Sequence, residues 1–215
     1  MPGAPPALRP SIHSIFFKIM NIKTLLALAA VLVLVVYGIN LNNSLVEQEE
    51  AVNQAWAQVE NQYQRRMDLI PNLVNTVQGA AGFEQETLTE VIEARSRATS
   101  VTLDPGDLDN PETFARFQQA QDQLSGALSR LLVSVERYPQ LQATQNFRDL
   151  QVQLEGTENR ISTERMRFNQ TAQGFNTAIR RFPASLLAGM LGFERKAYFE
   201  ARDGADQAPV VDFGS

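Results

Sequence analysis

Two hydrophobic patterns divide this chain. Residues 24–39, TLLALAAVLVLVVYGI, are sixteen consecutive uncharged positions, with Lys23 before them and Glu47, Glu49 and Glu50 soon after. A helical span of a bilayer takes roughly 17–25 mostly apolar residues. Ile22 to Leu41 meets that length once Lys23 snorkels outward. A run with no polar face has no side to offer water, which argues against a surface helix. It closes in Val36-Tyr37-Gly38-Ile39-Asn40, with neither an Ala-x-Ala site nor a cysteine to lipidate. The pattern therefore predicts an uncleaved transmembrane helix over residues 22–41 rather than a removed signal peptide.

From residue 42 the period changes. Apolar positions recur every three to four residues and strand-like alternation is absent, so the remainder reads as helix. The first stripe is Leu45, Val52, Trp56, Val59, Tyr63 and Ile70, on a helix continuing from the span; Pro71 should end or kink it. A second helix is expected to carry Leu73, Val74 and Val77, then Leu88, Val91 and Ile92, with Gly79 and Gly82 bending it or letting a neighbour approach. Residues 102–111, TLDPGDLDNP, cannot hold a helix. Asn110-Pro111-Glu112 then reads as an N-cap, a first-turn proline and a first-turn acid. The third helix carries Phe114, Phe117, Leu124, Leu128, Leu131, Leu132 and Val135, and Tyr138-Pro139 closes it. On the fourth, Phe147, Leu154, Ile161, Phe168, Phe175 and Phe182 stand seven apart and share one face. It should run about 40 residues, roughly 60 Å, to Pro183. A short amphipathic stretch with Leu186, Leu187, Met190, Leu191, Phe193, Tyr198 and Phe199 follows, and residues 201–215 are mostly turn-formers in a loose tail.

The fold class is thus all-α: an N-terminal transmembrane helix, then an antiparallel up-and-down four-helix bundle of long helices over residues 42–200. Arg9, Lys18 and Lys23 precede the span and residues 1–41 contain no acid. Basic flanks stay in the cytoplasm, so the bundle is expected across the membrane. Met20-Asn21-Ile22-Lys23 opens as a membrane anchor opens, so the expected start is Met20, and the stretch before it is either a mis-called extension or a short cytoplasmic tail over residues 1–21.

Charge narrows the function. The chain carries 19 basic and 24 acidic residues; setting aside the three N-terminal cations leaves 16 against 24, or −8, on the exported part. Such a domain has no footprint for nucleic acid, and an anionic lipid surface would repel it from lying flat. With no cysteine and His13 as the one histidine, no cofactor is expected: zinc, haem and thiol chemistry lack ligands, and a di-metal carboxylate bundle would need Glu-x-x-His pairs.

The stretch Trp56-Ala-Gln-Val-Glu-Asn-Gln-Tyr63-Gln-Arg65-Arg66-Met-Asp68-Leu-Ile-Pro71-Asn72-Leu-Val resembles the signature of the LemA family. Leu154-Glu155-Gly156-Thr157-Glu158-Asn159-Arg160-Ile161 resembles its second signature, and Phe168-Asn169, Phe175-Asn176, Phe182-Pro183 and Tyr198-Phe199-Glu200 match too. The resemblance runs from about residue 38 to the C-terminus and implies a bacterial, membrane-anchored helical bundle. It implies no settled activity.

The residues themselves leave two readings of the polar positions. Arg65, Arg66 and Asp68, just before Pro71, with Glu158 and Arg160 on the fourth helix, are either a site whose Arg forks grip a carboxylate or phosphate or an interhelical network that fixes register. Glu155, Ser162, Asn169 and Asn176, again seven apart, either line a polar groove for a partner or form the half-buried shoulder of the core, bonded to neighbouring helices. No nucleophile elbow, phosphate loop or Ser/His/Asp set is present. The sequence thus favours a non-enzymatic scaffold or interaction module at the bacterial envelope, held in the inner-membrane bilayer by residues 22–41 and engaging an envelope protein. An adaptor regulating an envelope protease or stress pathway, or an envelope hydrolase, remain the alternatives.

Overall fold

A computed structural model describes residues 22–80 and 82–200. The expectations for residues 1–21, including the start at Met20, and for the tail 201–215 lie outside the described residues. Contacts divide the chain between Ser44 and Leu45.

The first unit, as far as it is described, is helical, and its apolar run is bare: Leu26, Leu32, Val33 and Leu34 are all exposed. The helix that contains it is long and apolar enough to cross a membrane, and none of its most apolar window is buried.

The second unit holds four long helices. α1 spans Ile22–Gln78, and its residues from Leu45 onward belong to this unit; α2 spans Gln85–Ser100, α3 Pro111–Val135 and α5 Gln145–Arg180. A one-turn α4, Pro139–Gln142, links α3 to α5, and a one-turn α6, Ala184–Leu187, follows α5. Cross-contacts set the directions. Glu84 and Glu90 of the α2 side pair with Arg137 and Arg130 of the α3 side, so those helices are antiparallel. Arg66 meets Glu158, and Trp56 meets Phe168, so α1 and α5 are antiparallel as well. The result is the up-and-down four-helix bundle that the periodicity predicts, and α1 continues from the apolar run without a break, as expected.

The stripes go where the spacing puts them. Leu45, Val52, Trp56, Val59, Tyr63 and Ile70 are buried, as are Phe147, Leu154, Ile161, Phe168 and Phe175. Trp56 is surrounded by Phe114, Phe117, Phe168 and Phe199, with ring centroids 5.4–6.1 Å away, and its indole N–H donates to the Leu103 carbonyl at 3.2 Å. Offset and edge-on ring pairs of this kind add to what area burial contributes. Asn110 caps α3 as expected, its Oδ1 accepting from the N–H groups of Glu112 and Thr113.

Five expectations need correction. Pro71 does not end α1, which continues to Gln78. A proline has no N–H to give the carbonyl four residues back, which here is Met67; Arg95 of α2 donates its Nε to that carbonyl at 3.2 Å, so the orphaned acceptor is satisfied and the helix persists. Leu73, Val74 and Val77 therefore belong to α1. The break comes at residues 79–84, where Gly82 has φ +81°, a left-handed turn that only glycine adopts without strain. Ile92 of α2 is exposed, and Ala94 and Ala98 fill the interior instead. α5 has 36 residues and stops at Arg180, with Arg181 already extended; Phe182, next before Pro183, is disfavoured in the helical region in any case. Phe182 thus leaves the stripe and is 81% exposed. Finally, the reading of the whole remainder as helix fails beyond α6: within the short stretch expected there, residues 193–200 are extended along the bundle, burying Phe193, Lys196 and Phe199.

Candidate functional site

The most polar part of the interior is built around Arg66. Its position on the stripe of α1, three residues after Tyr63 and four before Ile70, turns it inward, and it is 1% exposed. Both terminal nitrogens of the guanidinium are engaged. Nη1 donates to Glu158 Oε1 at 2.6 Å and to Ser125 Oγ at 2.7 Å, and Nη2 donates to Gln121 Oε1 at 2.5 Å. It also lies 5.1 Å from the centre of the Tyr63 ring. A buried cation held by one carboxylate and two neutral acceptors ties α1, α3 and α5 at one level.

A second cation stands beside the first. Arg165 of α5 points Nη1 at Asp122 of α3, at 3.5 Å, and rests 4.4 Å over the Phe199 ring. The cluster therefore contains two arginines and two carboxylates. Four buried atoms in it lack a protein partner: the Tyr63 hydroxyl, Arg66 Nε, and Arg165 Nε and Nη2. Burial pushes the Tyr63 phenol up to about 12; desolvation outweighs the opposing pull of the neighbouring Arg165 and Arg66 charges.

The other polar residues singled out from the sequence do not join this cluster. Arg65, Asp68 and Arg160 are exposed, and Asp68 accepts from Gln64 Nε2 at 2.9 Å. Asp68 is two residues from Arg66, and Arg160 two from Glu158; a two-residue step on a helix turns a side chain to the opposite face. The structure brings together Arg66 and Glu158 and leaves the other three on the surface.

Asn169 and Asn176 bond the extended C-terminal segment rather than a neighbouring helix. Asn176 donates Nδ2 to the Lys196 carbonyl and accepts from the Lys196 N–H, both at 2.8 Å. Asn169 does the same with Phe199, both at 2.9 Å. Gln118 of α3 repeats the pattern with Glu200. Three side-chain amides thus stand in for a neighbouring strand and satisfy the extended backbone in pairs. Glu155 and Ser162, the other members of that row, are exposed. Lys196 is buried, its Nζ 2.7 Å from Glu49 Oε1 and facing the Phe175 ring.

Sequence reasoning missed Arg165, Asp122, Gln121, Ser125 and Lys196. Arg165 carried a signal, standing seven after Glu158 and so on the same flank of α5. The acceptors on α3 carried none, because a Gln or Ser on an amphipathic helix reads as surface. Outside, a groove of about 1450 Å³ runs along α3, flanked by Glu93, Arg97, Gln119, Arg130 and Glu194.

With this geometry in view, the relatives can be placed. The model of the LemA family matches residues 55–213, about three quarters of the sequence, and the chain belongs to that family. Protein LemA of Metamycoplasma hominis is 22% identical over 161 residues, 75% of this chain and 69% of that protein. Magnetosome protein MamQ of Magnetospirillum gryphiswaldense is 35% identical over 85 residues, 40% of this chain, and MamQ 2 of Paramagnetospirillum magneticum is 34% identical over the same length. The chain spans about a third of the length of the MamQ proteins that it matches.

Proposed function

We propose that this LemA-family chain is a single-pass, non-enzymatic interaction module of the bacterial envelope. Residues 22–41 hold it in the inner membrane, the basic flank lies in the cytoplasm, and the bundle stands on the far side and engages a protein partner. The carrying observation is the state of the Arg66 fork, whose two terminal nitrogens are already occupied by Glu158, Ser125 and Gln121. A catalytic centre needs titratable groups that converge on a space a substrate can enter; here the charged groups converge on one another. The basic residues before the apolar run and the acids after it support the orientation. The mixed-charge groove along α3 offers the broad, polar surface that a protein partner uses rather than an enclosed small-molecule site.

The test places a photo-crosslinking amino acid at Gln119 in the groove and, separately, at Val152 on exposed α5 of the full chain in native membranes. A discrete protein adduct from Gln119 and none from Val152 is expected. The adduct's identity separates a structural envelope partner from a protease, the adaptor alternative. Turnover of envelope material by the purified chain, lost in a folded Arg66→Met variant, would overturn the non-enzymatic reading.

A further inference from the structure

We infer that the end of the bundle formed by residues 181–192 seats on the lipid surface of the membrane that holds the chain, with Phe182, Leu186, Met190 and Leu191 entering the headgroup–acyl boundary. This rests on the reading of residues 22–41 as the anchor.

The first observation is a patch of exposed apolar side chains. Elsewhere on the bundle, large exposed apolar residues such as Ile92, Val133, Val152 and Met166 are scattered singly, which is ordinary for a protein surface. Between residues 182 and 191 there are four: Phe182 at 81%, Leu186 at 66%, Met190 at 85% and Leu191 at 45% exposure. A cluster of this kind marks a contact surface.

The second observation fixes which end of the bundle bears it. Arg66 is level with Glu158 and Trp56 with Phe168, while Glu49 reaches Lys196, itself bonded to Asn176. Numbers on α1 fall as those on α5 rise, so the end of α5 at Arg180 comes level with Leu45, where the chain enters the bundle. Only Asn42, Asn43 and Ser44 separate Leu45 from Leu41, the close of the apolar run. Even fully extended, that link reaches about 14 Å, so a chain anchored through the run keeps this end of the bundle near the bilayer whatever the link's conformation.

The third observation is the chemistry at the patch. Arg180 and Arg181 are exposed immediately before Phe182. Cations at phosphate depth, with aromatic and aliphatic groups just below, are the arrangement of an interfacial segment. Glu47 and Glu50 are exposed on the first turns of the bundle. The contact therefore depends on apolar insertion and arginine–phosphate pairing, not on net positive charge. The acidic remainder of the bundle is kept off an anionic surface, which leaves the tip as the seat.

The chain has no cysteine, so single-cysteine labelling is clean. Full-length Met190→Cys, Leu186→Cys, Val33→Cys and Val152→Cys variants are labelled with an environment-sensitive fluorophore. They are reconstituted into phosphatidylethanolamine–phosphatidylglycerol vesicles, with and without lipids carrying a nitroxide on the acyl chain. Positions 186 and 190 are exposed, so these changes leave the core intact. The expected result is blue-shifted emission and loss of intensity to the nitroxide lipid at 186 and 190 as at 33, with position 152 unchanged. If 186 and 190 behave like 152 while 33 is quenched, the inference is overturned and the anchor stands. If 33 is not quenched, the anchor reading falls and takes this inference with it. A blue shift at 190 that follows protein density in the vesicle and ignores the nitroxide lipid assigns the patch to a second copy, and overturns the inference too.

Discussion

Breaking the Arg66–Glu158 pair from each side in turn should give unequal costs. Glu158→Met leaves a guanidinium that is 1% exposed with two neutral acceptors and no counter-charge. Removing one partner of a fully buried pair costs about 3–5 kcal/mol. The Glu158 side chain is 36% exposed, so water already screens part of the interaction, and about 2–3 kcal/mol is expected. Arg66→Met acts differently. Glu158 turns to solvent, whereas Gln121 Oε1 and Ser125 Oγ lose the donor they shared, at about 1–3 kcal/mol. Once Arg66 is gone, Glu158 has nothing to neutralise, so Arg66→Met/Glu158→Met should be about as stable as Arg66→Met alone. The coupling between the sites is then nearly the whole cost of Glu158→Met. Trp56, the one tryptophan, is buried among four phenylalanines, so its emission reports unfolding of the bundle in the full chain held in nanodiscs. At about 2–4 °C per kcal/mol for a domain of this size, Glu158→Met should lower the midpoint by about 4–12 °C. Additive losses in the double variant, or an unchanged midpoint for Glu158→Met, would refute the structural account and return Arg66 and Glu158 to a binding role.

The remaining predictions use the same midpoint unless stated. Phe168→Ala should cost about 3–5 kcal/mol through lost burial and a cavity, whereas Phe182→Ala, which takes nothing from the core, should lower the midpoint far less. Tyr63→Phe removes a buried hydroxyl without a protein partner and should hold or raise stability; a clear loss would place a bonded water on that oxygen. Because the Tyr63 phenol is raised from 10.0 to about 12 in the fold, its contribution is fully present below pH 10 and is lost as pH climbs toward 12, so the wild type should lose stability there more steeply than Tyr63→Phe. Asn176→Ala unpairs both backbone groups of Lys196 and should loosen the C-terminal segment, read as faster tryptic cleavage at Arg195; an unchanged rate would show that the Asn169 and Gln118 pairs and the buried Phe193 and Phe199 hold it without Asn176.

The legible part of the fold was the part written in periodicity. A seven-residue repeat from Phe147 to Phe175 and the stripe from Leu45 to Ile70 fix the inward faces of two helices by spacing alone, and Asn110-Pro111-Glu112 fixes where a third begins. What escaped were features in which a distant side chain repairs a local fault. Pro71 looks like a stop because local rules remove one acceptor's partner; the repair comes from Arg95, 28 residues from Met67. Phe182 looks like core because it keeps the repeat, and only the chain's exit before Pro183 throws it outward. In the candidate cluster, Arg66 and Glu158 were visible as charges near core stripes, but Asp68 and Arg160 were grouped with them by closeness in sequence, which on a helix puts them on the far side.

The buried positions among those that carry the family resemblance turn out to be fastenings. Trp56 is the hub of the aromatic cluster and holds the Leu103 carbonyl; Arg66 in the first signature meets Glu158 in the second; Asn169 and Asn176 grip the segment that ends in Tyr198-Phe199-Glu200. Each joins stretches far apart in sequence, and each substitutes for something plain helix packing does not supply: an acceptor for a buried indole, a counter-charge for a buried cation, a strand for an extended backbone. Such positions specify one register among the many that greasy helices allow. A signature made of fastenings describes an architecture. It follows that the role of such a chain is to be sought on its surface, and the groove along α3 and the apolar tip at residues 181–192 are where the contacts proposed above would be made.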